Sequence, residues 1–215
     1  MGGNYFNKKL KALKRRKLPL GLTLLMLMIV GLVAYAGSMT KDRVAVDPKT
    51  FHPLLQLIAE AESDGNYNAY FSNAGNTTID LTSMTIGEVL AWQKDFIKQG
   101  NPSDAAGRYQ IISPTLKSLI KEMNLNQKQK FDQPMQDQMA MTLIERRGAA
   151  DFINDKLSRE EFAAQLAKEW AALPKVLGEN PQESYYASDG LNKSLISISE
   201  VLAVIDKVGP PKVAT

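Results

Sequence analysis

A mainly helical α+β domain with a small β-hairpin region, carried behind one N-terminal transmembrane helix, is the architecture this sequence predicts. Three observations lead there. Nineteen uncharged residues run from Leu18 to Ala36, directly after a cluster of seven lysines and arginines. From residue 51 onward, apolar residues recur at helical spacing, and several of these segments open with a capping pattern. Between Asn66 and Thr82 the pattern changes: Tyr67, Tyr70, Phe71, Ile79 and Leu81 are separated by Asn73, Gly75 and Asn76, which is turn chemistry flanked by β-formers. A small β element packed opposite a helical lobe is a natural way to make a groove.

The leader comes first. Residues 1–17 hold Lys8, Lys9, Lys11, Lys14, Arg15, Arg16 and Lys17. Leu18–Ala36 is close to the ~20 residues a helix needs to cross a bilayer. The basic flank places the N-terminus in the cytoplasm and the remainder outside it. Ala34-Tyr35-Ala36 fits the small-x-small pattern of a secretory cleavage site, but the long basic leader and spanning length favour an uncleaved signal anchor. The expected location is therefore a single pass of the inner membrane, or a virion membrane, with the folded domain periplasmic or extracytoplasmic.

Charge and composition narrow the function. The net charge of +3 belongs to the leader: without those seven residues, 19 basic residues face 23 acidic ones, or −4. A nucleic-acid partner for the folded part loses its support. Cysteine is absent, which excludes disulfides and thiolate chemistry, and one histidine, His52, makes neither a metal cluster nor a catalytic triad. No metal or organic cofactor is expected.

Residues 37–50 read as a polar linker with the helix-blocking pair Asp47-Pro48. The folded domain spans 51–208. Its first helix carries Phe51, Leu54, Leu55 and Ile58 and ends at Glu62, just before Ser63-Asp64-Gly65-Asn66. Thr85-Ile86-Gly87-Glu88 is a capping box opening a helix through Val89, Leu90, Trp92 and Phe96. Ser113-Pro114 pairs an N-cap with a first-turn proline. Asp132 opens a helix with Met135, Met139, Leu143 and Ile144, and Ser158-Arg159-Glu160-Glu161 is a second capping box. A last helix covers Ile198 to Val208, and Pro210-Pro211 ends regular structure in a 209–215 tail.

A carboxylate on the last turn of a core-packed helix can sit in a cleft wall, where partial burial raises its pKa into the range a general acid uses. Glu62 has that position. Glu60 competes, but two residues away it lies on a different face of the helix.

At Ala105-Ala106-Gly107-Arg108-Tyr109-Gln110-Ile111-Ile112 the chain resembles the lambda-type phage endolysins, lytic transglycosylases of lysozyme-like fold that cleave peptidoglycan. Matching spacing continues through Leu125, Gln136-Asp137 and Glu145-Arg146-Arg147-Gly148-Ala149 to Glu169-Trp170-Ala171-Ala172-Leu173-Pro174, where Glu169 departs from that family's isoleucine. The resemblance covers roughly Leu54 to Pro174. It implies that Glu62 is the catalytic acid/base, although Ser63 stands where the family pattern carries glycine. It also implies that Ser63, Tyr109 and Gln110 line a groove for peptidoglycan glycan strands; beyond the resemblance, Tyr185 and Tyr186 in the loop after Pro174 are candidates for a second wall, and Gly107 allows close backbone approach to a sugar. Arg108 is a candidate for peptide-stem carboxylates or for a structural ion pair, and Asp137, Glu145 and Arg146 for an internal polar network.

The implied reaction cleaves the β-1,4 bond between N-acetylmuramic acid and N-acetylglucosamine and leaves a 1,6-anhydro product, for phage lysis or local wall opening. Two alternatives stay open at this stage. One is a hydrolytic muramidase with Asp80 as second carboxylate. The other is a non-catalytic peptidoglycan-binding or assembly protein. Virion or envelope-complex partners accompany any of these.

Overall fold

A computed structural model describes residues 45–209. The expected leader, the signal anchor at 18–36, residues 37–44 of the linker and residues 210–215 of the tail lie outside the described residues. No helix among the described residues is long and apolar enough to cross a membrane.

The first turn forms earlier than the sequence suggests. Asp47 accepts a hydrogen bond from Lys49 N at 3.0 Å and caps a 3-10 turn, Pro48–Phe51. The pair expected to block helix thus initiates one, because proline suits the first turn, where its missing N–H would have no partner. Helix α1 (His52–Ser63) follows and buries Leu54, Leu55, Ile58 and Ala59. Helices α2 (Ile86–Lys98) and α3 (Ser113–Glu122) pack on each other, and α4 (Gln133–Arg146) packs against α1. A short α5 (Ala149–Ile153), α6 (Arg159–Leu166) and α7 (Ile198–Val208) complete the set, with α7 seated on both α1 and α6.

The caps at Thr85, Asp132 and Ser158 form as the sequence predicts, the first and last as full capping boxes. Ser197 and Glu200 make a third. At α3 the expectation is corrected: Ser113 is already helical and Ile112 is the N-cap, with no side-chain bond. Helix α5 was not legible as a separate element. Gly148 breaks the chain there at φ 99°, and a β-carbon on it would stand 2.7 Å from Leu157 Cδ1.

The core joins α1, α4, α6 and α7. Phe162 is fully buried, stacked on Phe152 at 4.7 Å and met edge-on by Phe51 at 6.4 Å. Such aromatic pairs add to the stabilisation from burial alone.

The expected β-hairpin is not present among the described residues. Residues 66–82 form an irregular loop with isolated bridges, Tyr70 to Asn73 and Tyr70 to Ala106. Asparagine amides take the place of a strand ladder. Asn66 Nδ2 donates to Ala74 O at 2.7 Å and Asn76 O at 3.0 Å. Buried Asn76 donates to Asn68 O and Ile79 O and accepts from the Thr78 and Ile79 amides. Side-chain amides that satisfy nearby backbone groups compete directly with sheet pairing. Asn76, read as a hairpin turn residue, is one of those that dissolve the hairpin, and the domain is mainly α.

Candidate active site

Helix α1 delivers Glu62 because its end is fixed at three points. Asp64 adopts the left-handed conformation at φ 51°, and its N–H bonds Glu60 O, while Gly65 N bonds Ala59 O at 3.0 Å. This closes the helix with a left-handed C-terminal turn. Ser63 is buried and places its hydroxyl 3.0 Å from Ala59 O and 2.7 Å from Arg108 O. Expected to touch substrate, Ser63 instead ties the helix end to the Gly107–Arg108 turn. Its one hydroxyl hydrogen is shared between two carbonyls, which leaves none for a ligand.

That turn requires its glycine. Gly107 has φ 78°, and a β-carbon would lie 2.4 Å from Gln136 Oε1 and 2.9 Å from Phe131 Cε1. The close approach is to buried side chains of the core, where the sequence reading expected a sugar. Gln136, wholly buried, accepts from Arg108 N at 2.8 Å and donates to Tyr67 O and Phe131 O.

Glu62 lies in the wall of a cavity of about 500 Å³ whose lining includes Phe71, Tyr109, Gln110, Trp170 and Tyr186. Its Oε1 accepts a hydrogen bond from Ala172 N at 3.0 Å. Burial pushes the carboxyl up to about 7, and the Ala172 amide offsets only part of this. Desolvation penalises the charged form more than one neutral N–H stabilises it. Glu62 is thus a carboxyl that carries its proton near neutrality and faces space for a ligand. Glu60 is exposed and hydrogen-bonded to Gln56 Nε2 on the outer face of α1, so helix phase separates the two candidates.

The other expected site residues divide. Tyr109 is 2% exposed; its hydroxyl donates to Asp137 Oδ1 at 2.7 Å, which holds its ring in the cavity wall. Gln110 lines the cavity at φ 48° with Nε2 donating to Gly107 O at 2.9 Å. Tyr186 also lines the cavity and donates its hydroxyl to Lys168 O at 2.7 Å. Tyr185 is not among the lining residues; its ring lies 5.8 Å beneath Lys168 Nζ.

Asp80 does not share the cavity. It is exposed and caps the 3-10 turn Leu81–Ser83, accepting from Thr82 Oγ1 at 2.6 Å and Ser83 N at 3.2 Å. The Thr82 hydroxyl, ahead of the Ser83 bonds, holds its pKa below the usual carboxylate value. These are the properties of a turn cap, so the expectation of a second carboxylate facing Glu62 is corrected.

Arg108 also turns inward. Its guanidinium donates to Tyr67 Oη and Gln56 Oε1, stacks 4.7 Å over the Tyr67 ring, and lies 3.9 Å from Asp137. Asp137 in turn accepts from Tyr67 and Tyr109. Arg146 pairs with Glu122 rather than with Asp137 or Glu145.

Several cavity residues were not assigned from sequence. The segment after α6 supplies Lys168, Glu169, Trp170 and Ala171 to the lining, and its Ala172 amide binds Glu62. Glu169 is held by Arg147 at 2.7 Å, with its side chain 8% exposed. The Trp170-Ala171-Ala172 run was visible as a motif, but a backbone N–H leaves no mark of its role in a sequence.

Residues 52–191 match the family model described as Endolysin. The solved structure of bacteriophage lambda lysozyme complexed with a chitohexasaccharide matches with 18% identity, over 77% of this chain and 96% of that one, at a TM-score of 0.46. No curated protein matches the chain.

Proposed function

The chain belongs to the Endolysin family, and from that premise we propose that its folded domain is a peptidoglycan lytic transglycosylase with Glu62 as the sole acid/base. The observation that carries this reading is the desolvated Glu62 carboxyl in the cavity wall, its pKa pushed up to about 7, with no unpaired carboxylate beside it among the described residues lining the cavity. Of the other acids lining the cavity, Glu169 is held by Arg147 and Asp189 by its own loop.

A single carboxyl suffices for an intramolecular displacement. Protonated Glu62 donates to the glycosidic oxygen between N-acetylmuramic acid and N-acetylglucosamine as that oxygen leaves C1. The muramic acid's own 6-hydroxyl attacks C1, and its proton passes to the carboxylate just formed. One C–O bond breaks, one forms, no water is consumed and Glu62 ends protonated. Because the nucleophile is already attached to the substrate, its effective concentration is high and no residue need position a water. Hydrolytic glycosidases use a second carboxyl at defined separation for that task, and the place of Asp80 outside the cavity weighs against it.

The reading extends to location. Leu18–Ala36 would hold the enzyme as an uncleaved single-pass anchor, with the domain facing the wall from the outer side of the inner membrane or from a virion membrane. Mass analysis of digested peptidoglycan tests the chemistry. Products ending in 1,6-anhydro-muramic acid are expected, and reducing ends one water heavier would transfer the case to a hydrolase. Binding without cleavage would point to a non-catalytic role.

A further inference from the structure

The described domain is acidic, with 16 lysines and arginines against 22 aspartates and glutamates in residues 45–209. Its cavity is balanced, with three basic and three acidic residues in the lining. Arg146, Arg147 and Lys168 line it with only two acids besides Glu62, namely Glu169 and Asp189. Two of the cations are already neutralised, Arg146 by Glu122 at 2.5 Å and Arg147 by Glu169 at 2.7 Å. Lys168 is in no ion pair among the described residues.

Lys168 is also held unusually firmly for a partly exposed lysine. Its carbonyl accepts from Tyr186 Oη at 2.7 Å and from Arg147 Nη2 at 3.2 Å, and its N–H bonds Gln165 O at 3.1 Å. Its ammonium rests 3.2 Å from Gln165 Oε1 and 5.8 Å over the Tyr185 ring. An ammonium has three donors. Gln165 takes one, which leaves two for an anion. Asp189, another acid of the lining, turns its carboxylate onto the Leu191 and Asn192 amides and Asn192 Nδ2.

We propose that Lys168, braced by Tyr185 and Tyr186, is a subsite for a carboxylate of the acidic stem peptide on muramic acid, so that the chain selects peptide-bearing over peptide-free glycan. The assignment rests on the peptidoglycan reading above and names the part of that substrate which this wall receives. It gives Tyr185 a place beside the cavity that lining alone does not. It also moves the stem-peptide contact from Arg108, whose guanidinium faces inward, to a partly exposed lysine among the residues that line the cavity.

The test measures binding in the full-length chain carrying Glu62→Gln, so that turnover does not enter. The probes are soluble glycan fragments with their stem peptides, and the same fragments stripped of peptide by an amidase. Peptide-bearing fragments should bind more tightly, and the difference should shrink with added salt. A hydrogen-bonded charge pair of this kind contributes about 10-fold or more in affinity, so adding Lys168→Gln should lose about that factor for peptide-bearing fragments and bring the two probes together. Lys168→Arg should retain most of the preference. Equal affinity for both probes in the parent, or an unchanged preference in Lys168→Gln, overturns the subsite. A wild-type chain that shows the preference yet cleaves neither probe would sink the transglycosylase reading and leave the subsite standing.

Discussion

Replacing Glu62 by glutamine should make the protein more stable above neutral pH while disabling it. The wild-type carboxyl is pushed by burial from 4.5 to about 7. Between those values the native state binds a proton that the unfolded chain does not, so stability falls as pH rises through this window. The penalty is absent below about pH 4.5 and complete above about pH 7. At 1.36 kcal/mol per pKa unit, it amounts to about 3 kcal/mol. Glutamine keeps an oxygen for the Ala172 amide, now at 3.0 Å, and carries no charge to desolvate. Glu62→Gln should therefore gain up to about 3 kcal/mol at pH 8 and almost nothing at pH 4. For a domain of this size the gain corresponds to a rise of about 6–12 °C in the unfolding midpoint. Thermal unfolding followed by circular dichroism at the two pH values measures it. Cleavage of purified peptidoglycan by the same variant should fall by at least ~100-fold, the lower end of a general acid's contribution. No gain at pH 8, or the same gain at both pH values, would falsify the claim that Glu62 is a desolvated acid.

Four further outcomes are expected. The kcat/KM for peptidoglycan should drop above about pH 7 as Glu62 loses its proton, and a plateau extending past pH 9 would contradict its role as the acid. Asp80→Asn should leave cleavage within about 3-fold of wild type, since asparagine still offers an oxygen to Thr82 and Ser83; a loss comparable to Glu62→Gln would restore the two-carboxylate mechanism. Gly107→Ala should destabilise by about 2 kcal/mol or more, because it forces a β-carbon against Gln136 at φ 78°; an unchanged urea midpoint would refute that constraint. The full-length chain should fractionate with membranes and resist alkaline extraction, whereas N-terminal sequencing that began at Gly37 would show the 18–36 segment to be removed.

Much of the helical scaffold was legible from local chemistry. Thr85, Asp132 and Ser158 each satisfy amides within their own first turn, so the decision is made over four residues and survives any tertiary context. The identity of the helix-terminal carboxyl was legible for the same reason. Apolar residues that bury one face of α1 fix its phase, and that phase sends Glu62 to the cavity and Glu60 to solvent.

Where several partners could satisfy the same group, the sequence left the outcome open. Asn76 reads equally well as a turn residue of a hairpin or as an amide that replaces its ladder, and only the packed loop selects the second. Ser63, Arg108 and Asp80 are polar residues in suggestive places. Asp80 is settled by its own turn, but Ser63 and Arg108 are settled by chain segments 45 and 52 residues away, through the bonds from Ser63 to Arg108 O and from Arg108 to Gln56. The sequence by itself determined the helices, their caps and the carboxyl that ends the first of them, because those depend on periodicity and neighbours within a turn. Only the tertiary structure decided that Ala172, 110 residues from Glu62, supplies the amide on that carboxyl, and that Lys168 is among the residues lining the same cavity. Burial and long-range hydrogen bonds set a group's protonation and its reach, and neither is a property of the chain until it has folded.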